Sequence, residues 1–123
     1  MKDYIIDTNI LIYLFENNQK SWQKLSELVQ DQFCISPISR LEFLIGLKKE
    51  DEDCIKTHLD DLLCLDVNLE ISNKAANLFK NHPSLKFKDA LILATAHHHK
   101  KTLITADKKL AKIAEKSLLF KLK

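Results

Sequence analysis

Tyr4-Ile5-Ile6-Asp7-Thr8-Asn9-Ile10-Leu11-Ile12-Tyr13-Leu14 opens the chain with a short β-prone run, a polar break, and an apolar run of helical character over 10–15. A strand that feeds straight into a helix is the first half of a strand–helix–strand unit. The same step recurs along the chain. Phe33-Cys34-Ile35 reads as a second strand, and a helix over 38–47 follows Pro37, a residue suited to a first helical turn. Short strands are expected within 62–67 and over 102–105 and 117–120. Between them, Trp22, Leu25, Leu28 and Val29 follow helical spacing, as do Ile55, Leu59 and Leu62-Leu63. Ala75-Ala76, Leu78 and Phe79 mark another helix, ended by the turn Asn81-His82-Pro83-Ser84. The stretch 87–96 is apolar nearly all round, which predicts a buried central helix. Strands alternating with helices predict a three-layer α/β/α sandwich around a mostly parallel sheet of four to five strands. A single glycine and two prolines leave few tight turns and speak against an all-β fold.

The length of 123 residues fits one domain over 1–123, with 46% hydrophobic and 29% charged residues in the ordinary globular range. No apolar run is long enough to span a membrane, and no secretory signal is evident at the start, so the expected compartment is the cytosol. Cys34, Cys54 and Cys64 are odd in number and form no C-x-x-C pair, which suggests neither a disulfide framework nor a zinc site. Cys34 and Cys64 are expected to be buried as small hydrophobes. The net charge of +2 conceals an asymmetry: residues 86–123 hold ten lysines against three acids, a net of +7, leaving −5 for residues 1–85. A basic third permits a polyanionic partner, and solvated helix faces would explain it equally well.

Four acids keep apolar company. Asp7 ends the first strand, and Asp107 follows Leu103-Ile104-Thr105-Ala106. If both strands are parallel, their carboxyl ends share the edge where α/β sheets place their sites, and the intervening 100 residues close in space. Glu42 sits between large hydrophobes in Ile38-Ser39-Arg40-Leu41-Glu42-Phe43-Leu44-Ile45-Gly46, where Ser39 and Gly46 share its helix face and leave room for close approach. Asp89 precedes the most apolar helix. Asp7 and Asp107 could instead cap helices, and Asp89 could answer a helix dipole; Glu42 has no comparable alternative role. Carboxylates in apolar surroundings need a compensating cation or donors, and the chain has a single arginine, Arg40, and surface-seeking lysines. Oxygen-only ligands then point to Mg²⁺ or Mn²⁺, and carboxylate-held metals of this sort act on phosphates.

Taken in order, four segments resemble a known family. Asp7-Thr8-Asn9-Ile10-Leu11-Ile12-Tyr13-Leu14 is similar to the opening of a PIN domain, and Ser36-Pro37-Ile38-Ser39-Arg40-Leu41-Glu42 to its second motif. Asp89-Ala90-Leu91-Ile92-Leu93-Ala94-Thr95-Ala96 resembles the third, and Leu103-Ile104-Thr105-Ala106-Asp107 the fourth. The resemblance runs from about residue 3 to residue 112 and is greatest to the short VapC-type toxins of toxin–antitoxin pairs. It implies an Mg²⁺- or Mn²⁺-dependent endoribonuclease with Asp7, Glu42, Asp89 and Asp107 as metal ligands and catalytic acids. One or two ions at these acids would activate a water for attack on an RNA phosphate. Asn9 and Thr105 would support the site through hydrogen bonds, and Ser39 would orient Glu42. A homodimer is implied too, as is an antitoxin whose C-terminal segment wraps the toxin. Lys86, Lys88 and Lys108 are candidate RNA-phosphate contacts. The stretch after Asp107 is lysine-rich where many relatives carry an aromatic.

Two other readings share the fold: an RNA-processing nuclease without a toxin role, and an inactive protein-binding module. No glycine-rich phosphate loop is present, and an aspartyl-nucleophile phosphatase would want an acid where Asn9 stands. His97-His98-His99 is expected to be a polar helix end, because consecutive residues on a helix point in different directions. Trp22 is expected to pack rather than stack on bases, and Glu50-Asp51-Glu52-Asp53 to begin a solvated helix.

Overall fold

A computed structural model describes residues 3–16, 33–49 and 62–120. Its strands are β1 (Tyr4–Ile6), β2 (Phe33–Ile35), β3 (Leu63–Cys64), β4 (Thr102–Thr105) and β5 (Ser117–Leu119). They form one sheet in the order β3-β2-β1-β4-β5, and every pairing is parallel. The mostly parallel sheet of four to five strands expected from the sequence is a fully parallel five-stranded one.

The helices are α1 (Thr8–Glu16), α2 (Pro37–Gly46), α3 (Leu69–Asn81), α4 (Phe87–His98) and α5 (Lys108–Ile113). Two-residue alternation along the strands divides the core between the two faces of the sheet. Ile5, Cys34 and Leu103 join Ile71, Ala75, Ile92, Leu93 and Leu110 from α3, α4 and α5. Ile6, Phe33, Ile35 and Ile104 join Ile10, Leu11 and Phe43 from α1 and α2. The result is the expected three-layer α/β sandwich. Among the described helices α4 has the longest buried run, at Ala90 and continuously from Ile92 to Ala96. Its buried Thr95 hydroxyl donates to the Leu91 carbonyl at 2.7 Å, which satisfies it within the helix.

Local signals explain the helix starts. Ser36 caps α2, its hydroxyl accepting from Ile38 N (3.0 Å) and Ser39 N (3.4 Å), while Pro37 occupies the first turn. Asn68 caps α3 by accepting from Ile71 N at 2.9 Å.

Of the two readings that meet at Leu63, a helical stripe and a strand within 62–67, the strand holds, because Leu63 and Cys64 pair with Cys34 and Ile35. Cys64 is half-buried, since β3 is a two-residue edge strand with a neighbour on one side only, whereas Cys34 on β2 is fully buried. At Gly46 the helix face is open: a Cβ there would meet nothing within 4 Å. The expected helices around 22–29 and 55–59, the acidic run 50–53 and Cys54 lie outside the described residues.

Candidate metal and nuclease site

Parallel pairing of β1 with β4 decides where the acids meet. Ile6 stands opposite Ile104, and Asp7 N donates to the Ile104 carbonyl at 3.0 Å, so the ladder continues one residue past β1. Asp7 therefore lies beside Thr105 at the carboxyl edge. Asp107 follows two residues later, and α4 brings Asp89 in its first turn. A cleft of about 130 Å³ opens there, lined by Asp7, Asn9, Glu42, Asp89 and Asp107 together with Thr8, Leu110, Lys86 and Lys88. The four acids, scattered over 100 residues, share one cleft. Lys108 is exposed on α5 and does not line it.

Asp7 is the buried member at 4% exposure, and hydrogen bonds hold both its oxygens. Thr8 N donates to Oδ1 at 2.7 Å, and the Thr105 hydroxyl donates to Oδ2 at 2.8 Å. A capping side chain would instead accept from the second or third helical N–H, so Asp7 is not serving as an ordinary cap. The Thr105 hydroxyl also accepts from Asp107 N at 3.0 Å, tying the two acids through one buried side chain. Asp107 does cap α5: its Oδ1 accepts from Lys109 N (2.9 Å) and Leu110 N (3.4 Å). The capping role and the place in the cleft are thus compatible. Lys109 Nζ donates to the Ser84 carbonyl at 3.2 Å and ties α5 to the turn before α4.

Burial raises the Asp7 carboxyl above its ordinary range; the Thr105 and Thr8 donors pull it down, and the charges of Asp107 and Glu42 push it up. Asp89 is likewise raised, first by burial and then by Asp7 and Asp107, with Lys86 and Lys88 opposing. Repulsion among the acids is therefore real, with loss of water the larger cause.

Glu42 departs from its expected setting. Leu41 and Ile45 beside it are exposed, so α2 is not apolar all round, and Glu42 itself is one-quarter exposed. It also has a base: Lys88 Nζ lies 2.6 Å from Oε2. The expectation that no lysine would serve these acids fails here, because the long Lys88 stem reaches across from α4. Thr8 Oγ1 lies 2.9 Å from both Glu42 Oε1 and Ser39 Oγ. A hydroxyl has one proton and an ionised carboxylate has none, so Thr8 donates to Glu42 and accepts from buried Ser39. Ser39 acts on Glu42 through Thr8. Thr8 is thus a site residue beyond those expected from the sequence, and its position immediately after Asp7 in the opening motif was the available signal.

These donors suit a hard divalent cation: all are oxygens, and two of the acids sit where loss of water and mutual repulsion disfavour their charge. Among the described residues, no three His, Cys, Asp or Glu side chains stand in position to hold an ion together. Glu42 is engaged by Lys88 and Thr8, and Asp107 by its own helix.

The PIN domain family profile matches residues 4–116. The chain belongs to the PIN domain family. PIN domains are generally nucleases dependent on divalent metal. Among solved structures, a chain of a toxin–antitoxin complex from Klebsiella pneumoniae is 30% identical, with a TM-score of 0.85 over 97% of this chain and 99% of that one. VapBC2 from Rickettsia felis, bound to a DNA fragment from its promoter, is 21% identical with a TM-score of 0.79, covering 98% of each chain. VapBC-1 from nontypeable Haemophilus influenzae is 22% identical with a TM-score of 0.75, covering 94% of this chain and 96% of that one. These last two share the fold. No curated protein matches the chain significantly in sequence. Among the described residues, no helix is long and apolar enough to cross a membrane.

Proposed function

We propose that this PIN domain is a VapC-type endoribonuclease whose Asp7, Glu42, Asp89 and Asp107 bind Mg²⁺ or Mn²⁺. The observation that carries this reading is the gathering of four acids from the β1–α1 turn, α2, α4 and the β4–α5 turn into one cleft. A divalent ion in such a site supplies an activated water and neutralises charge on the scissile phosphate and leaving oxygen. The chain's own residues prepare for it. Thr105 and Thr8 N fix both oxygens of Asp7, so its rotamer is set before anything binds. Ser39 and Thr8 hold one oxygen of Glu42 toward the cleft wall. Asn9 lines the cleft as a neutral donor and acceptor, and Lys86 offers a cation to an RNA phosphate at its rim.

The pairing with an antitoxin, and a homodimer, are part of the proposal. Similarity to a chain of a toxin–antitoxin complex supports it. Exposed apolar side chains do as well: Leu69, Phe79 and Phe87 on α3 and α4, and Leu41 and Ile45 on α2, offer surface that a protein partner would cover. A cytosolic location follows from that role.

The test is cleavage of a structured RNA pool by purified protein freed of any partner, in Mg²⁺, Mn²⁺ or EDTA, beside an Asp7→Asn/Asp89→Asn double variant. Metal-dependent cutting, lost in the variant by at least a hundredfold, is expected. Full cutting by the variant would overturn the site, and absence of both cutting and metal binding would leave a PIN-fold binding module.

A further inference from the structure

In the ion pair that closes across the cleft, Lys88 stands in the first turn of α4, one residue before Asp89, and its partner Glu42 lies 46 positions away on α2. We infer that Lys88 is a built-in competitor for the cation of this cleft, holding Glu42 until a divalent ion displaces it. The inference rests on the metal reading proposed above.

Both oxygens of Glu42 are engaged: Oε1 by the Thr8 hydroxyl at 2.9 Å and Oε2 by Lys88 Nζ at 2.6 Å. An ammonium has three donors and no acceptor, so while it sits on Oε2 it occupies the direction from which a cation would approach that oxygen. The hold is reversible by construction. The Lys88 side chain is 47% exposed and flexible, and pairs of this kind are weak because water competes and the stem must be ordered. A divalent ion shared with the neighbouring acids brings twice the charge. Lys88 therefore tunes the metal affinity of the cleft without blocking it.

Displacement also has a consequence for substrate. Lys88 lines the cleft beside Asp89, so an ammonium released from Glu42 remains at its wall, where a polyanion's phosphate would enter. The cation expected at an RNA phosphate is thus freed in step with metal entry.

Lys86 provides the internal comparison. It carries the same charge, lines the same cleft and also lowers the cost of ionising Asp89, but it forms no ion pair among the described residues. Losing Lys86 changes the field; losing Lys88 changes the field and frees a ligand oxygen.

The experiment is calorimetric titration of Mn²⁺ into the partner-free protein at fixed ionic strength, for wild type, Lys88→Met, Lys86→Met and Lys88→Arg. Lys88→Met is expected to bind Mn²⁺ about fivefold more tightly than wild type. Lys86→Met is expected to change affinity by less than about twofold, and Lys88→Arg to stay near wild type. Equal gains for Lys88→Met and Lys86→Met would overturn the inference, reducing Lys88 to one charge among several. Weaker binding by Lys88→Met would overturn it in the opposite direction. If none of the four proteins binds Mn²⁺ while circular dichroism shows all of them folded, the metal reading itself falls and takes this inference with it.

Discussion

The carboxyl ends of β1 and β4 gather Asp7, Asp89 and Asp107 beside Glu42, whereas the amino ends of β4 and β5 gather lysines. There, a second cavity of about 170 Å³ is lined by Ala96, His97, Lys100, Lys101, Glu115 and Lys116. The two ends handle charge in opposite ways. Lys100 and Lys116 are exposed and Lys101 half-buried, and none forms an ion pair among the described residues, so water solvates them at little cost. His97 completes that end as a structural group: its Nε2 accepts from Glu115 N at 3.1 Å, and burial lowers its readiness to protonate. At the acidic end Asp7 has almost no water, and its charge depends on Thr105, Thr8 N and whatever cation arrives. Surface charge can be added or removed freely; a buried carboxylate is tied to each of its partners.

The largest contrast should come from Thr105→Val. The substitution removes the donor to Asp7 Oδ2 and the acceptor for Asp107 N in one step. A buried carboxylate oxygen left without its donor costs about 1–3 kcal/mol, readable by urea denaturation, and RNA cleavage should fall at least tenfold. Unchanged stability would mean that water replaces the hydroxyl and that the acidic end is wetter than its burial indicates.

Asp7→Asn should move stability the other way. Burial raises the folded pKa of Asp7, so the ionised form favours the unfolded chain. That cost is absent below the unfolded value, near 3.8, and grows as pH rises through the raised folded value. In EDTA the asparagine variant should therefore melt a few degrees higher than wild type at pH 7, with the gap narrowing toward pH 4. A variant that melts lower at neutral pH would show that the Thr105 and Thr8 hydrogen bonds outweigh desolvation.

Smallest of all should be the effect of replacing Lys100, Lys101 and Lys116 together with alanine. Stability and cleavage should change by less than about twofold, while retention on RNA at low salt weakens. A loss of cleavage as large as that of Thr105→Val would erase the distinction between the two ends.

How far the sequence foretold this arrangement depends on the range of the interaction. The alternation of Tyr4, Ile5 and Ile6 between the two faces, and the burial of α4 at Ala90 and from Ile92 to Ala96, follow from local periodicity and were legible, whereas Phe87 and Lys88 at the start of α4 are exposed. So was the meeting of Asp7 with Asp107, because two parallel neighbours must end on one edge. The Thr8–Ser39–Glu42 chain and the Lys88–Glu42 pair were not, since each depends on how α2 sits against α1 and α4. Glu42 illustrates the gap: its apolar sequence neighbours suggested burial, but Leu41 and Ile45 face solvent and the carboxylate is reached by a lysine 46 positions away. The strand expected within 62–67 is present as the two-residue β3, but its bounds were not legible. A strand that short leaves no periodic signature, and only its pairing with Cys34 and Ile35 defines it.

The claim that the acidic end is a cation site is tested most directly by a crystal structure of the partner-free protein soaked in Mn²⁺, with anomalous scattering used to locate the ion. The account predicts a peak in the cleft in direct contact with an oxygen of Asp7, and Lys88 withdrawn from Glu42. A cleft without a peak at saturating Mn²⁺, with Lys88 still on Glu42, would contradict it.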